Sequence, residues 1–253
     1  MLLSKLKASA LHLLLSFVII SLAISLIIIF WFPDSLIQVS NFKEITLLII
    51  SIDLVVGPLL TFVVYKPKKK SLKFDLSTIA VIQISALAYG LFTLYQAHPV
   101  FITFNVDRFT LVPAIDAKPK ETKYDSLKIS TLSSPKLVIA KLPKERKELN
   151  ELLLQVATEG TDIDLRPEYY HPYEDNINEI LAKSLDPSIL FEKPESKNKL
   201  DKFIKKFGKS KEDYAYIPLE GASKDAIWVL DKKTAKPIDI IDINPWIQKT
   251  AKK

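Results

Sequence analysis

Residues 49–70 read IISIDLVVGPLLTFVVYKPKKK, an apolar stretch with an aspartate and a Gly-Pro pair near its middle and lysines at its end. The stretch is long enough for a helix that crosses a bilayer. An aspartate at the centre of such a helix costs about 2.5 to 3.5 kcal/mol on insertion scales. Asp53 therefore either argues against a membrane span or is retained because protein surrounds it.

The neighbouring sequence favours a span. Residues 11–32, 45–65 and 76–97 are three apolar runs, each roughly 30 Å long as a helix. The first run ends without a small-residue cleavage site, so we interpret it as a retained anchor and not as a secretory signal. We predict a transmembrane region over residues 1–97 and a soluble domain over residues 98–253.

Lysines predict the orientation of the three spans. The loop between spans one and two has Lys43 beside Asp34 and Glu44. The lysines before span one and between spans two and three are Lys5, Lys7, Lys66, Lys68, Lys69, Lys70 and Lys73. Since cytoplasmic loops carry the excess of positive charge, we predict that the N-terminus is cytoplasmic and that the C-terminal domain lies on the far side of the membrane.

The net charge of +6 follows largely from this topology. The first 97 residues hold 8 Lys+Arg and 4 Asp+Glu, a surplus of four that leaves only two for the rest of the chain. The basic pI of about 9.1 is therefore poor evidence for a nucleic-acid partner. The chain has no cysteine, which excludes disulfides and thiolate chemistry.

The soluble part is predicted to be an α+β domain. Residues 100–112 are rich in aromatic and β-branched residues and predict one strand that continues from span three. Apolar periodicity predicts helices over 144–158, 173–184 and 197–207, with Gly160 and Gly208 as stops. Further strands are predicted at 137–140, 214–218, 226–231 and 237–243, with a hairpin turn over 232–236.

The sequence offers little material for catalysis. Its five glycines are too dispersed for a phosphate-binding loop. His171 is near Glu174 and Asp175, but nothing in the spacing selects a metal site. We therefore predict no enzyme, no catalytic residue, no metal ligand and no cofactor. Two alternatives remain. One is a membrane-tethered enzyme that acts on the envelope, and the other is a scaffold or signalling protein with a ligand-binding outer domain.

The candidate binding residues in the membrane are those around Asp53. Gly57 lies one turn on, and Pro58 frees the carbonyl of Leu54 and predicts a bend, so the three residues form a polar seam that should face protein. On span three, Gln83 lies on a stripe of small and polar residues, and Tyr89 is nearest Asp53 in depth. The seam would contact either span three or a foreign helix. Proton relay and intramembrane proteolysis are further alternatives.

A second candidate surface is the loop 164–173, DLRPEYYHPY. Arg166, Tyr169 and Tyr170 are residue types that anchor interfaces, and two prolines stiffen the loop. We predict that these three residues bind a partner. The alternative is that the tyrosines cover the core of their own domain.

Several blocks together resemble one family. They are DLVVGPLLTFVVYKPKKKSLKFDL at 53–76, AYGLFTLYQ at 88–96, FNVDRF at 104–109 and EGTDIDLRPEYY at 159–170. In these blocks the chain resembles the TfpX/TfpZ type IV pilin accessory proteins. The resemblance implies a chaperone-like protein of the bacterial inner membrane, with its C-terminal domain in the periplasm. It further implies support for the stability or assembly of a cognate type IV pilin, with the pilus assembly machinery as a further partner. No catalytic activity comes with the family, and a membrane-tethered enzyme that modifies the pilin remains an alternative.

Overall fold

In the computed structural model the chain forms two compact units. The structure describes residues 1–33, 35–117, 122–130 and 134–246. One unit is a set of three helices formed by residues 1–33 and 41–98. The other, which we call the sheet domain, is formed by residues 35–40 together with the chain after His98.

The three long helices are α1 (Leu2–Trp31), α2 (Phe42–Val64) and α3 (Leu72–Ala97). All three are long and apolar enough to cross a membrane, which agrees with the three predicted spans. Each helix begins before the corresponding predicted run, because polar and charged residues at its N-terminal end continue the helix without being apolar.

Helix α2 changes its winding in the middle. Residues Phe42–Ile50 and Gly57–Val64 are α-helical, and Ser51–Val56 between them is π-helical. The cause is Pro58, which has no N–H to bond the carbonyl one turn earlier, so the preceding turn rewinds to wider hydrogen bonds. The Gly57 N–H accordingly donates to the carbonyl of Ile52. The π-helical turn stands at the place where the sequence predicts a bend.

In the described part of the sheet domain, seven strands form one mixed sheet. In chain order they are β1 (Pro99–Asn105), β2 (Arg108–Pro113), β3 (Lys136–Ala140), β4 (Tyr170–Pro172), β5 (Tyr214–Glu220), β6 (Ala226–Asp231) and β7 (Pro237–Ile241). Their order across the sheet is β4-β3-β1-β2-β5-β6-β7. The pairs β1/β3 and β2/β5 are parallel and the other pairs are antiparallel.

The prediction of a single strand over 100–112 is wrong. The chain reverses at Val106 and Asp107, and β1 pairs with β2 as an antiparallel hairpin. Val106 has φ +58, a left-handed conformation that a β-branched residue rarely adopts. Because the turn lacks the usual Asn-Gly or Asp-Gly signal, the sequence pattern does not mark it.

Among the residues described between the strands, four α-helices occur: α4 (Arg146–Glu159), α5 (Ile177–Leu181), α6 (Pro187–Leu190) and α7 (Pro194–Phe207). Helices α4 and α7 confirm the predicted helices, and each ends at a glycine with positive φ, Gly160 at +68 and Gly208 at +78. The helix predicted over 173–184 is shorter than expected. Its beginning is instead a 3₁₀ turn over Glu174–Asn176.

The sheet buries both faces. Alternate residues of β1 and β6 point to opposite sides, so that Ile102 and Trp228 lie in one cluster while Phe101 and Ile227 lie in two others. The first face is covered in part by α5 and by residues 35–40. The second face is covered by α4 at the β1 side and by α6 and α7 at the β6 side.

Residues 35–40, which we call the linker segment, connect α1 to α2 and belong to the core of the sheet domain. Leu36 is 2% exposed and Val39 is fully buried, in the same cluster as Trp228. The Ser223 N–H donates to the carbonyl of Val39 at 3.0 Å. A Cβ on Gly221 would lie 2.6 Å from that carbonyl oxygen, so only glycine permits this close approach.

Candidate functional site

The three-helix unit is closed at one end by aromatic residues. The Trp31 ring lies 4.8 Å from the His98 ring and 5.4 Å from the Tyr95 ring, measured between centroids. The backbone carbonyl of Tyr95 bonds His98 Nδ1. Helices α1 and α3 therefore meet at the C-terminal end of each.

At the other end α1 lies against α2. Lys5 Nζ donates to the carbonyl of Val63 at 3.1 Å, and Ser9 Oγ donates to the carbonyl of Pro58 at 2.8 Å. One turn further, His12 Nδ1 is 2.6 Å from Thr61 Oγ1. These polar contacts were missed in the sequence, although Lys5, Ser9 and His12 recur at the i, i+4, i+7 spacing that marks one helix face.

Between α1 and α3 lies a groove of about 700 Å³, which we call the inter-helix groove. Its floor is formed by Asp53 and Thr61 of α2 and by Tyr65, which follows α2. Most of its walls are apolar, and they include Leu11, Leu15 and Ile19 of α1 and Leu76, Ile84 and Leu87 of α3. The groove begins near the lysine-bearing ends of the helices and extends to the depth of Asp53.

Asp53 is 4% exposed and sits in the π-helical turn of α2. Gln83 Nε2 of α3 lies 3.5 Å from Asp53 Oδ1 and 3.4 Å from the Asp53 carbonyl oxygen. Both distances are at the upper end of the hydrogen-bond range, so the bonds are weak. Asp53 lines the inter-helix groove on one side and a cavity of about 60 Å³ on the other. A helix lying in the groove would therefore find a carboxyl group held there only loosely.

Gly57 and Pro58 of α2 contact the two other helices of the three-helix unit. A Cβ on Gly57 would lie 1.9 Å from Gln83 Nε2, so the glycine leaves the space through which Gln83 reaches Asp53. The carbonyl of Pro58 accepts the bond from Ser9. Tyr89, by contrast, is 70% exposed and lines the 60 Å³ cavity. The structure thus brings Asp53, Gly57 and Gln83 together, and it leaves Tyr89 on the outer surface of α3.

In the sheet domain, Arg166 is buried and bonded within its own loop and α4. Its guanidinium donates to the carbonyl of Thr161 at 3.1 Å, to Gln155 Oε1 at 2.9 Å and to Glu159 Oε2 at 2.9 Å. These bonds occupy each of the three guanidinium nitrogens. Arg166 therefore fixes the loop to α4, and its binding of a partner stays a prediction.

The tyrosines of the same loop differ in exposure. Tyr170 is fully buried, and its hydroxyl donates to the carbonyl of Asp164. Tyr169 is half-buried beside Lys123, whose Nζ lies 5.9 Å from the ring centroid. Tyr170 accordingly covers the core, which was the alternative interpretation of this loop, and Tyr169 keeps part of its ring accessible.

Electrostatics single out Asp164 in this region. Burial raises the pKa of its carboxyl, and the nearby Asp162 and Glu220 raise the pKa further, while Thr110 and Arg108 oppose the shift. Burial likewise raises the pKa of the Tyr170 hydroxyl. Within the parts of the chain that the structure describes, no group of three or more His, Cys, Asp or Glu side chains is placed to hold a metal ion.

One comparison decides the family. The chain is 36% identical over 108 residues to the fimbrial assembly protein of serogroups C1 and C2 of Dichelobacter nodosus, covering 82% of that protein and 42% of this chain. The chain belongs to the fimbrial assembly protein family. The serogroup I and E1 members of the same organism are each 29% identical to it, over 94% of this chain and 96% of theirs. These two matches to fimbrial assembly proteins include both the helices and the sheet domain.

No family model matches the chain. No solved structure matches it either.

Proposed function

We propose that this protein is a multi-pass accessory protein of the bacterial inner membrane that supports a cognate type IV pilin without catalysing a reaction. The single observation that carries the proposal is the inter-helix groove, an apolar channel with a carboxyl group at its inner end, in a member of the fimbrial assembly family. The TfpX/TfpZ resemblance of the blocks around Asp53 supports the same function.

In this proposal the groove receives the apolar N-terminal helix of the pilin while that subunit is in the membrane. The groove has room for one face of a helix, whose full diameter with side chains is about 10 Å. Asp53 would offer hydrogen bonds to a polar group of the pilin helix, and the loosely bonded Gln83 can turn aside. Such a bond is favourable because lipid offers none in its place.

We propose that the N-terminus lies in the cytoplasm and the sheet domain in the periplasm. Support comes from the lysines described above and from the linker segment. Because the linker segment is part of the sheet domain, we expect the α1–α2 connection and the chain after α3 to lie on the same side of the membrane. In the periplasm the sheet domain would contact the pilin head, with Tyr169 as an accessible aromatic residue, and stand near the assembly machinery.

Cysteine cross-linking tests the groove, since the chain has no cysteine of its own. Ala80→Cys puts a thiol in the groove, and Val81→Cys puts a matched thiol on the next position of α3, outside the groove lining. With a single cysteine in the pilin helix, we expect disulfide formation with the first variant and little with the second. Equal yields from both variants would refute docking in the groove.

Asp53 variants separate two roles of the carboxyl group. If Asp53 contacts pilin, Asp53→Asn and Asp53→Leu should lower piliation while the level of the accessory protein stays normal. If Asp53 only joins α2 to α3, Asp53→Leu should lower the level of the protein itself. Normal piliation and normal protein levels in both variants would exclude a role of Asp53 in either contact.

A further inference from the structure

The turn between β1 and β2 has a strained backbone. The Asp107 N–H donates to the carbonyl of Asn105 at 2.7 Å, and Val106 between them has φ +58. A hydrogen bond over two residues with a positive φ at the central residue defines the rarer, strained kind of γ-turn. Glycine adopts this conformation without steric cost, whereas a β-branched residue adopts it at the highest cost. The residue at the centre of the turn is therefore unfavourable for the turn itself.

Burial in the sheet domain does not compensate for this cost. The Val106 side chain is 66% exposed and belongs to none of the three buried clusters of the described chain. The strands are instead held together behind the turn by Phe104 and Phe109, whose rings pack edge-on at 5.2 Å between centroids. Glycine at position 106 would thus make the domain more stable, and the valine contributes an apolar surface to the outside.

The residues beside the turn hold it in one position. Arg108 Nε donates to Glu220 Oε2 at 2.9 Å, and Arg108 Nη1 donates to Asp107 Oδ1 at 3.3 Å. The same guanidinium lies 5.8 Å from the centroid of the Trp246 ring, which is itself exposed. Trp246 Nε1 in turn donates to Asp225 Oδ2 at 2.6 Å. These contacts produce one continuous surface, which we call the hairpin-tip surface and which consists of Val106, Asp107, Arg108 and Trp246.

We infer that the hairpin-tip surface docks onto a folded partner protein, with Val106 entering a small apolar depression of that partner. The inference rests on the proposed function, and the partner is the part of the pilin outside the membrane. A rigid apolar residue next to a tryptophan and an arginine has the composition of an interface centre with a charged rim. Backbone strain is characteristic of such functional positions, because a better turn residue would lose the contact.

The charge at the tip favours a protein partner over the two other possible occupants. A second copy of the chain, related by a two-fold axis through the tip, would bring the two Asp107 carboxylates together. A lipid surface that takes up Val106 would remove the same carboxylate from water without a partner. Among the residues that the structure describes, only Arg108 bonds the Asp107 side chain. A lysine or arginine at the edge of the partner's depression would therefore complement it.

The test measures stability and pilin binding of the full-length protein in detergent, with fluorescently labelled, full-length cognate pilin as the probe. Val106→Gly removes both the side chain and the strain. Val106→Thr exchanges a methyl group for a hydroxyl group and keeps the strain. Ile115→Thr is the matched control, because Ile115 is an equally exposed aliphatic residue of the same domain. Thermal unfolding gives Tm, and titration with pilin gives Kd.

We expect Val106→Gly to raise Tm by about 2 to 4 °C, because the turn loses its strain. The same variant should raise the Kd for pilin about tenfold, the value of one buried valine side chain. Val106→Thr should also weaken binding, while its Tm stays within about 2 °C of the unchanged protein. Ile115→Thr should leave Kd unchanged. A gain in stability together with a loss of affinity distinguishes a docking residue from a structural one.

The other outcomes count against the inference in different ways. If Val106→Gly is more stable and binds pilin as tightly as before, the inference is overturned and the proposed function stands. A Tm that is unchanged or lower in Val106→Gly would remove the strain from the reasoning and overturn it as well. If sedimentation shows a dimer that Val106→Gly dissociates, the surface belongs to a second copy and not to pilin. Failure of pilin to bind the unchanged protein would refute the proposed function, and the inference with it.

Discussion

Replacing Leu36 by alanine should destabilise the sheet domain even though Leu36 lies between two apolar helices in the sequence. Its side chain is 2% exposed and lies in the cluster that contains Val39, Phe109 and Trp228. Truncating a buried leucine costs about 2 to 5 kcal/mol, because the cavity that remains closes only in part. For a domain of this size each kcal/mol lowers Tm by about 2 to 4 °C, so we expect a decrease of about 4 to 20 °C.

Near-ultraviolet circular dichroism of the detergent-solubilised protein measures this change, because Trp228 packs edge-on against Phe109 at 4.8 Å between ring centroids. Leu154→Ala is the matched control, since Leu154 belongs to the same domain but is 65% exposed. We expect its Tm to stay within about 2 °C of the unchanged protein. If the two variants melt at the same temperature, the linker segment is no part of the core.

Three further changes test other contacts. Asp164→Asn should flatten the pH dependence of stability. Because the folded-state pKa of Asp164 is raised, the unchanged domain loses stability relative to the variant as pH rises above about 4. Urea unfolding of both proteins between about pH 4 and pH 8 would detect this difference. Arg166→Lys should cost about 1 to 3 kcal/mol in the same assay, since one ammonium group cannot replace three separate guanidinium contacts; an unchanged midpoint would contradict this. Gly57→Val should push Gln83 away from Asp53 and weaken the packing of α3 on α2, seen as faster proteolysis in detergent than for Gly57→Ala.

The sequence was informative wherever structure depends on local pattern. Apolar length predicted the three long helices, and alternation with turn residues predicted the hairpin of β6 and β7. The glycines after α4 and α7 ended those helices as expected, because a left-handed residue closes a helix without steric cost only when it is glycine.

The sequence was uninformative wherever structure depends on distant partners. In the sequence, Leu36 and Val39 belong to a short apolar loop. They become core residues through contacts with residues almost two hundred positions later. The turn at Val106 is held by the pairing of β1 with β2 against an unfavourable local conformation. The polar face of α1 is visible as a spacing, but its meaning depends on Pro58 and Thr61 of another helix.

The same dependence on distant partners applies to the candidate site. Asp53 could be singled out because a carboxyl group in an apolar helix is costly wherever it lies. The groove could not be predicted, because it arises from the way α1 and α3 meet at the Trp31 end and separate at the other. The contact of His12 with Thr61 could not be predicted for a related reason, since a histidine near a helix end has many uses and only its neighbours decide among them.

The linker segment also defines which part of this protein can be exchanged between relatives. Recombination with a single crossover after α3 would combine the strands of one relative with Leu36 and Val39 of another. These side chains would then be mismatched inside a closely packed core. A crossover before residue 35 carries both halves of the domain together with α2 and α3. We therefore expect natural and designed chimaeras of this family to inherit everything from the linker segment onward as one block, with only α1 free to differ in origin.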